Sequence, residues 1–380
     1  MNAYTVKTIG ILGGGQLARM SLFAAKRLGF NVAIIEKEKN SPAGQLTHLE
    51  FTGSFNDRKL LKKFAEVSDV ITLENEFVDA GIIGYLEDLG KKVFPSSQTI
   101  ALIQDKLYQK QTLQKHGIPV AEFTDVTGTD DFEKVCETLG LPFILKSRKM
   151  GYDGYGIALV KNRKNFNDAL EKLRKRHLSV MAEKFIRFKL ELATIVVRTK
   201  KQLCIYPVVR TVQRNHICHI VTAPAEISGS AKKLAGDIAI ASVEAFRGYG
   251  IFAVEMFLTS DNRILVNEMA PRPHNSGHYT IEGCVTSQFE NHIRSVLDLP
   301  LGSSEMVHPY AVMVNILGKT NGNGVMKNYK TVLANKSIHL HIYGKSRSSK
   351  GRKMGHITVT GSNLKKILSV ARQTEKQIII

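Results

Sequence analysis

The sequence predicts an α/β fold at the amino end and an α+β arrangement beyond it, on three observations. A short apolar strand, Val6–Leu12, runs into the turn Gly13-Gly14-Gly15-Gln16 and then into an amphipathic helix, Leu17–Leu28. Strand and helix signals keep alternating to about residue 105. Far downstream, Gly250–His278 holds two apolar runs, Ile251–Leu258 and Arg263–Met269, around the polar break Thr259–Asn262, the pattern of a β-hairpin.

The glycine turn opens a helix. It therefore presents free backbone N–H groups at the positive end of a dipole and suits a phosphate or carboxylate. The second strand, Asn31–Ile35, ends at Glu36, near where a ribose-binding acid would sit in a dinucleotide fold. The spacing G-x-x-G-G-G-Q departs from G-x-G-x-x-G, so a nicotinamide-dependent oxidoreductase is a weak alternative. Leu60–Glu66 reads as helix. Val70–Leu73 reads as a strand ending at Glu74-Asn75-Glu76, and Val93–Phe94 leads through Pro95-Ser96 to a helix at Thr99. Strand ends of a parallel sheet face the ligand crevice, so Glu74 and Glu76 are site candidates. The plainer reading for both is a solvated loop.

Asp105-Lys106 lies in a helix running to about His116, closed by Gly117 and Pro119. The strand Phe143–Lys146 then leads into SRKMGYDGYG, Ser147–Gly156, with glycines at 151, 154 and 156. Such a stretch is either a flap that closes over phosphates or a simple hairpin turn. Ser179–Glu183 is a strand continuing through Lys184-Phe185-Ile186. Leu190–Val197 alternates from Glu191, and Ser230–Gly248 is a long helix.

In the hairpin that follows, a turn at Asp261-Asn262 pairs Ser260 with Arg263, and counting outward sets Glu255 opposite Glu268. Opposed residues sit roughly 5 Å apart at Cβ, where like charges repel. A divalent cation between them relieves this, and Mg²⁺ takes one or two protein carboxylates and fills its remaining positions with water and phosphate oxygens. The bland alternative sends one glutamate to solvent and the other to an arginine.

Past residue 300, His308–Leu317, Ser337–Tyr343 and His356–Thr360 read as strands and Leu364–Arg372 as a helix. A length of 380 residues suits two or three domains, and 43% hydrophobic residues are ample for their cores. No apolar run approaches the roughly 20 residues of a membrane span, and MNAYTVKTIG reads as a lead into a strand, not a signal peptide. Cys136, Cys204, Cys218 and Cys284 show no CxxC spacing, so a reducing, cytoplasmic setting is expected. The net charge of +19 is compatible with nucleic acid, but the basic residues are dispersed apart from Arg163–Arg176 and Lys345–Lys353, and aromatics are not interleaved with the first cluster. Neither a nucleic-acid partner nor a membrane partner is expected.

Taken in order, Lys106, Lys146, GYDGYG (151–156), EKFI (183–186), Glu191, AVEMF (253–257) and NEMAPRPHNSGHYTIE (267–282) resemble the ATP-grasp superfamily. GGGQLARM (13–20), ENEF (74–77), FPS (94–96), QDK (104–106) and HIYGK with GRKMGH (341–356) narrow the resemblance to the N5-carboxyaminoimidazole ribonucleotide synthase family, over almost the whole chain. The resemblance implies a Rossmann-like domain over 1–105, an ATP-grasp domain over 106–300 (106–186 with the flap, 187–300 with the hairpin) and a small β-rich domain over 301–380. It implies a homodimer that uses ATP, bicarbonate and 5-aminoimidazole ribonucleotide, with Mg²⁺ or Mn²⁺. A formate-using relative, the glycinamide ribonucleotide transformylase, is the alternative within ATP-grasp.

By that resemblance Lys106 and Lys146 contact ATP, and the flap Gly151, Tyr152, Asp153, Gly154, Tyr155, Gly156 and Ile157 covers it. Glu183, Lys184, Phe185 and Ile186 line the adenine pocket, Glu191 holds the ribose, and Arg214 is a further ATP contact. Glu255 and Glu268 bind the metal with support from Asn267. The ribotide meets Gly14, Gln16, Leu17, Lys345 and Arg352 through its phosphate, and Glu74, Tyr152 and Asp153 near the imidazole. Asp153 handles the proton, Arg272 steadies the bicarbonate-derived charge, and Lys345 completes the catalytic set. His274 and His278 are read as hydrogen-bonding residues, because Mg²⁺ prefers oxygen. Tyr155 stands where relatives often carry a basic residue, for which Arg148 or Lys149 would compensate.

Overall fold

The structure is a computed structural model, and it describes residues 6–151, 156–175 and 179–380. Five parallel strands form the first sheet: β1 (Thr8–Leu12), β2 (Asn31–Glu36), β3 (Glu50–Thr52), β4 (Val70–Leu73) and β5 (Lys92–Phe94), in the order β3-β2-β1-β4-β5. Side chains alternate between its faces. Ile9, Ile11, Val32 and Ile34 pack under α1 (Gln16–Arg27), whereas Leu12, Ala33, Ile35 and Ile71 pack under α2 (Arg58–Val67) and α3 (Ala80–Asp88). Burial on both faces explains why these strands read as nearly continuous apolar runs. The chain goes from β1 outward to β2 and β3 and then crosses back to β4 on the other side of β1, and at this switch point the glycine turn faces Glu74.

Two helices follow, α4 (Ser97–Gln104) and α5 (Lys106–Lys115). They break at Asp105, whose carboxylate accepts the Leu107 amide at 3.0 Å and the Tyr108 amide at 3.4 Å. Such a cap is worth about 1 kcal/mol, and it fixes where Lys106 starts its helix.

A second sheet is wholly antiparallel: β6 (Phe123–Val126), β7 (Phe143–Ser147), β8 (Ile157–Val160) and β9 (Val180–Lys184), in the order β6-β9-β7-β8. It is backed by α6 (Phe132–Leu139) and α7 (Arg163–Arg174), which cover Phe143 and Leu145 with Phe166 of α7 in the same cluster. The glycine-rich stretch joins β7 to β8 in the chain, and of its described residues Gly151 lines the cleft.

Residues 185–187 pass from the second sheet to the third. The third contains β10 (Phe188–Arg198), β11 (Leu203–Ile205), β12 (Val209–Arg214), β13 (Ile217–Ala223), β14 (Gly250–Thr259), β15 (Ile264–Ala270) and, past residue 300, β16 (Tyr310–Leu317). The pair β17 (Gly322–Asn323) with β19 (Arg347–Ser348) stands apart, while β18 (His339–Ile342) and β20 (Lys353–Gly361) join the large sheet. The order β15-β14-β10-β12-β13-β16-β20-β18 runs across residue 300 without a gap, and β15 is an edge strand. α8 (Gly229–Ala245) lies on one face; α9 (Thr280–Gly283), α10 (Gln288–Val296), α11 (Tyr329–Leu333) and α12 (Leu364–Gln377) complete the chain. Phe289, Ile293 and Val296 of α10 share one apolar cluster with Leu17, Leu22 and Ala25 of α1 and with Tyr343. That shared core holds the first sheet's switch point over the third sheet.

The hairpin of β14 and β15 differs from the expected one in two places. Thr259, not Ser260, pairs with Arg263, so the loop is Ser260-Asp261-Asn262 with Asn262 in the left-handed region at φ 63°. Met256 therefore faces Val266, one position out of step with the expected register. A bulge between Met256 and Glu255 on the paired strand then restores it, and Glu255 stands opposite Glu268 after all. The extra residue is Asn267. Because of the bulge, consecutive residues Asn267 and Glu268 both reach the cleft, which plain strand alternation would forbid.

Candidate active site

A cleft of about 780 Å³ is lined from all three sheets. Its floor is the hairpin. Burial, with Glu268 and Glu191 as like-charged neighbours, pushes the Glu255 carboxyl up to about 7. Lys106 Nζ lies 2.5 Å from Glu268 Oε2. His274 Nε2 is 3.5 Å from Glu255 Oε1, and burial, helped by Arg272 and Lys353, holds that imidazole well below its ordinary range. His274 is thus neutral, and its Nδ1 is 2.9 Å from Ser276 Oγ. His278 is likewise kept neutral by burial and contacts Gln288. Both histidines make hydrogen bonds to neighbouring side chains.

One side of the cleft is a chain of opposite charges. Lys146 Nζ is 2.5 Å from Glu183 Oε2 and donates to Asn267 Oδ1 at 3.3 Å. Lys110 Nζ binds the other carboxylate oxygen of Glu183 at 2.7 Å. Burial alone would raise the Glu183 carboxyl, but the two lysines outweigh it and hold it down to about 2. Lys184, Phe185 and Ile186 line the cleft beyond Glu183, with the Lys184 ammonium 2.8 Å from Glu122. Glu191 lines the opposite wall; burial raises its pKa, and Gln213 hydrogen-bonds it. Gly151 and Ile157 bound the flap side of the cleft.

The far side holds Gln16, Leu17, Glu74, Arg272, Lys345 and Arg352. Arg272 is gripped by Glu76 through Nε and, at 2.7 Å, through Nη2. Its Nη1 donates to its own neighbour Pro273 O at 3.1 Å. Burial would raise Glu76, but Arg272 holds it below the ordinary carboxylate range. Burial and Glu36 raise the pKa of Glu74, against the pull of Arg272 and Lys345. Arg352 Nη1 donates to Arg347 O at 2.7 Å.

Four sequence expectations change. The Gly14 amide donates to Glu36 Oε2 at 2.8 Å, and Gly14 does not line the cleft. The end of α1 attracts anions, as expected, but the anions already there are the protein's own. A Cβ on Gly15 would come 2.5 Å from Glu74 Oε1, so the glycines admit that second carboxylate. Arg214 does not reach the cleft: its guanidinium is 64% exposed and 3.9 Å from Glu375 of α12. Adjacent strand residues point to opposite faces, and here Gln213 takes the inward one. Gly156 accepts the Ser147 amide at the root of the flap rather than lining the cleft. Arg148 is held by Asp105 at 2.8 Å and Asp125 at 3.3 Å, so it is unavailable to replace a basic residue at Tyr155. Tyr152, Asp153, Gly154 and Tyr155 lie outside the described residues.

Sequence reasoning missed Lys110 and Gln109. Gln109 Oε1 accepts the Met269 amide at 2.9 Å, and its Nε2 donates to Met269 O at 3.1 Å. The signal was available: positions 106, 109 and 110 have the i, i+3, i+4 spacing of one helix face.

Residues 6–104 match the ribonucleotide synthetase preATP-grasp domain, 111–289 the ATP-grasp domain and 311–369 the phosphoribosylaminoimidazole carboxylase C-terminal domain. The chain is 39% identical to the N5-carboxyaminoimidazole ribonucleotide synthase of Bacillus subtilis, covering 93% of this chain and 92% of that one. It is 44% identical to the phosphoribosylaminoimidazole carboxylase of Ogataea methanolica, covering 94% of this chain but 67% of that protein. It thus spans about two thirds of such longer relatives, 64% in Candida albicans. Among solved structures, the Aspergillus clavatus synthase in complex with ADP and 5-aminoimidazole ribonucleotide matches with a TM-score of 0.90 and 38% identity over 98% of both chains.

Proposed function

The chain belongs to the N5-carboxyaminoimidazole ribonucleotide synthase family of ATP-grasp ligases, and from that premise we propose that it carboxylates 5-aminoimidazole ribonucleotide with ATP and bicarbonate. The observation that carries this is the cleft itself, which sets an opposed acid pair beside two lysines and faces them with Glu74, Arg272 and Lys345. The step belongs to purine nucleotide synthesis.

A bicarbonate oxygen attacks the γ-phosphorus of ATP, and the bond to the β-phosphate oxygen breaks with its electron pair leaving on ADP. The resulting carboxyphosphate releases CO₂ and phosphate. The exocyclic amine nitrogen bonds to the carbon and gives up a proton. Phosphoryl transfer of this kind is mostly positioning and charge neutralisation. Lys106 and Lys146 supply the protein's positive charge along the phosphates. Glu183 is turned toward lysines, so the backbone of Lys184–Ile186 is left to read the adenine edge, and Glu191 accepts the ribose hydroxyls. Glu76 holds the Arg272 fork in one orientation, which lets its charge steady bicarbonate or carboxyphosphate without reorganising. Gln16, Leu17, Lys345 and Arg352 surround the ribotide phosphate, with Glu74 near the amine. Carboxyphosphate is short-lived in water, so the segment 151–156 acts as the lid and Asp153 as the proton acceptor.

A divalent cation fits the hairpin. Glu255 pushed up to about 7 marks a carboxylate short of positive partners, and Lys106 already stands in beside Glu268. Glu255 and Glu268 would hold Mg²⁺, with Asn267 beside them. The chemistry it supplies when bound is charge neutralisation on the phosphate oxygens. The assembly proposed is a homodimer, on the family resemblance, and light scattering on the purified chain tests it. Among the described residues no helix is long and apolar enough to cross a membrane.

The direct test is coupled ADP release with each substrate omitted in turn. ADP should form only when ATP, bicarbonate and the ribotide are all present. Release with formate in place of bicarbonate would overturn the assignment in favour of a transformylase.

A further inference from the structure

We propose that Lys110 is a positioning residue that couples the two halves of the ATP site, aiming Lys146 through Glu183 and holding the bulge that turns Asn267 and Glu268 inward. This rests on the function proposed above and assigns a role to a residue outside it. Lys110 lines no part of the cleft, and its side chain is 3% exposed. Its ammonium nevertheless makes two contacts, each one residue away from the chemistry. One is Glu183 Oε1 at 2.7 Å, whose other oxygen is 2.5 Å from Lys146 Nζ. The other is Val266 O at 3.1 Å, the carbonyl just before Asn267.

The second contact matters because β15 is an edge strand. An edge strand lacks a full partner strand on one side; here the Val266 amide donates to Pro119 O at 2.8 Å, and the bulge beyond it takes further partners. Helix α5 provides them. Lys110 takes the carbonyl of Val266 and Gln109 takes both the N–H and the C=O of Met269, so the residues on either side of Asn267-Glu268 are fastened to one helical turn. That turn also carries Lys106, which touches Glu268. A buried lysine is costly unless paired; a stable core alone would be served as well by an apolar residue.

The test compares Lys110→Met and Lys110→Gln with Glu183→Gln, by calorimetric titration with ADP, first in EDTA and then across a Mg²⁺ series. Supporting-shell losses of this kind cost about 10- to 100-fold in affinity. Loss of Lys110 should weaken ADP binding in EDTA by about tenfold and also raise the Mg²⁺ needed for half-saturation by about tenfold. Glu183→Gln should weaken ADP binding in EDTA and leave the Mg²⁺ requirement within about twofold, since it touches one arm of the coupling. Lys110→Gln, which keeps a donor, should recover part of the Mg²⁺ requirement. Folded Lys110 variants with wild-type values, or with only the Glu183→Gln pattern, would overturn the coupling. So would failure of both Lys110 variants to fold, which would make the lysine a pillar of the core. Wild-type protein that binds no adenine nucleotide sinks the proposed function instead.

Discussion

Glu183 and Glu255 are both acids at the bottom of one cleft, yet their surroundings treat them in opposite ways. Glu183 sits between Lys110 and Lys146 and is held down to about 2. Glu255 faces Glu268 and Glu191 and is pushed up to about 7. The first is neutralised by the chain itself and so serves to orient lysines. The second is left without enough positive charge and so waits for a ligand to supply it. Acids satisfied from within are scaffolding; acids left in conflict mark where a cation and its phosphates belong.

The hardest blow to this contrast is Glu268→Gln. It should reduce turnover by on the order of a hundredfold or more, the scale of losing a metal ligand in phosphoryl transfer, with the thermal midpoint little changed. Near-normal activity at ordinary Mg²⁺ would mean the hairpin does not hold the metal. A smaller effect is expected for Lys146→Met. It should raise KM for ATP about tenfold or more, as expected for loss of a charged phosphate contact, while KM for the ribotide stays put. An equal rise in both would place Lys146 outside the nucleotide subsite.

The smallest and sharpest test is pH. Glu183 is depressed from 4.5, so the stability it contributes is full above pH 4.5 and is lost as pH falls toward 2. Glu255 is raised from 4.5, so the folded protein keeps a proton that the unfolded chain releases, and stability declines as pH rises from 4.5 to about 7. In urea melts of metal-free protein, Glu255→Gln should remove the decline above pH 4.5, and Glu183→Gln should blunt the loss below it. Identical pH profiles for wild type and Glu255→Gln would show that the acid pair is not in conflict.

Much of this was legible in the chain because it is local. Alternation and helical period mark β1, α1, β4 and a helix over α5, although Asp105, read as part of that helix, turns out to cap it. The opposition of Glu255 and Glu268 was also read correctly, though by a route in which two deviations cancelled: a loop longer by one residue and a bulge that absorbed it. The fate of Gly14 and Arg214 was not legible. Gly14 depended on which carboxylate the folded chain would bring to its amide, and Arg214 on whether it or Gln213 would turn inward.

The sequence by itself determined roughly where strands and helices begin and that Glu255 stands opposite Glu268, since turn chemistry and side-chain period act over a few residues. Only the tertiary structure decided that Asn267 and Glu268 share one face. The bonds flanking that bulge come from Gln109 and Lys110, 160 and 156 positions away, and from the Pro119 carbonyl, and an edge strand takes its shape from whatever packs against it.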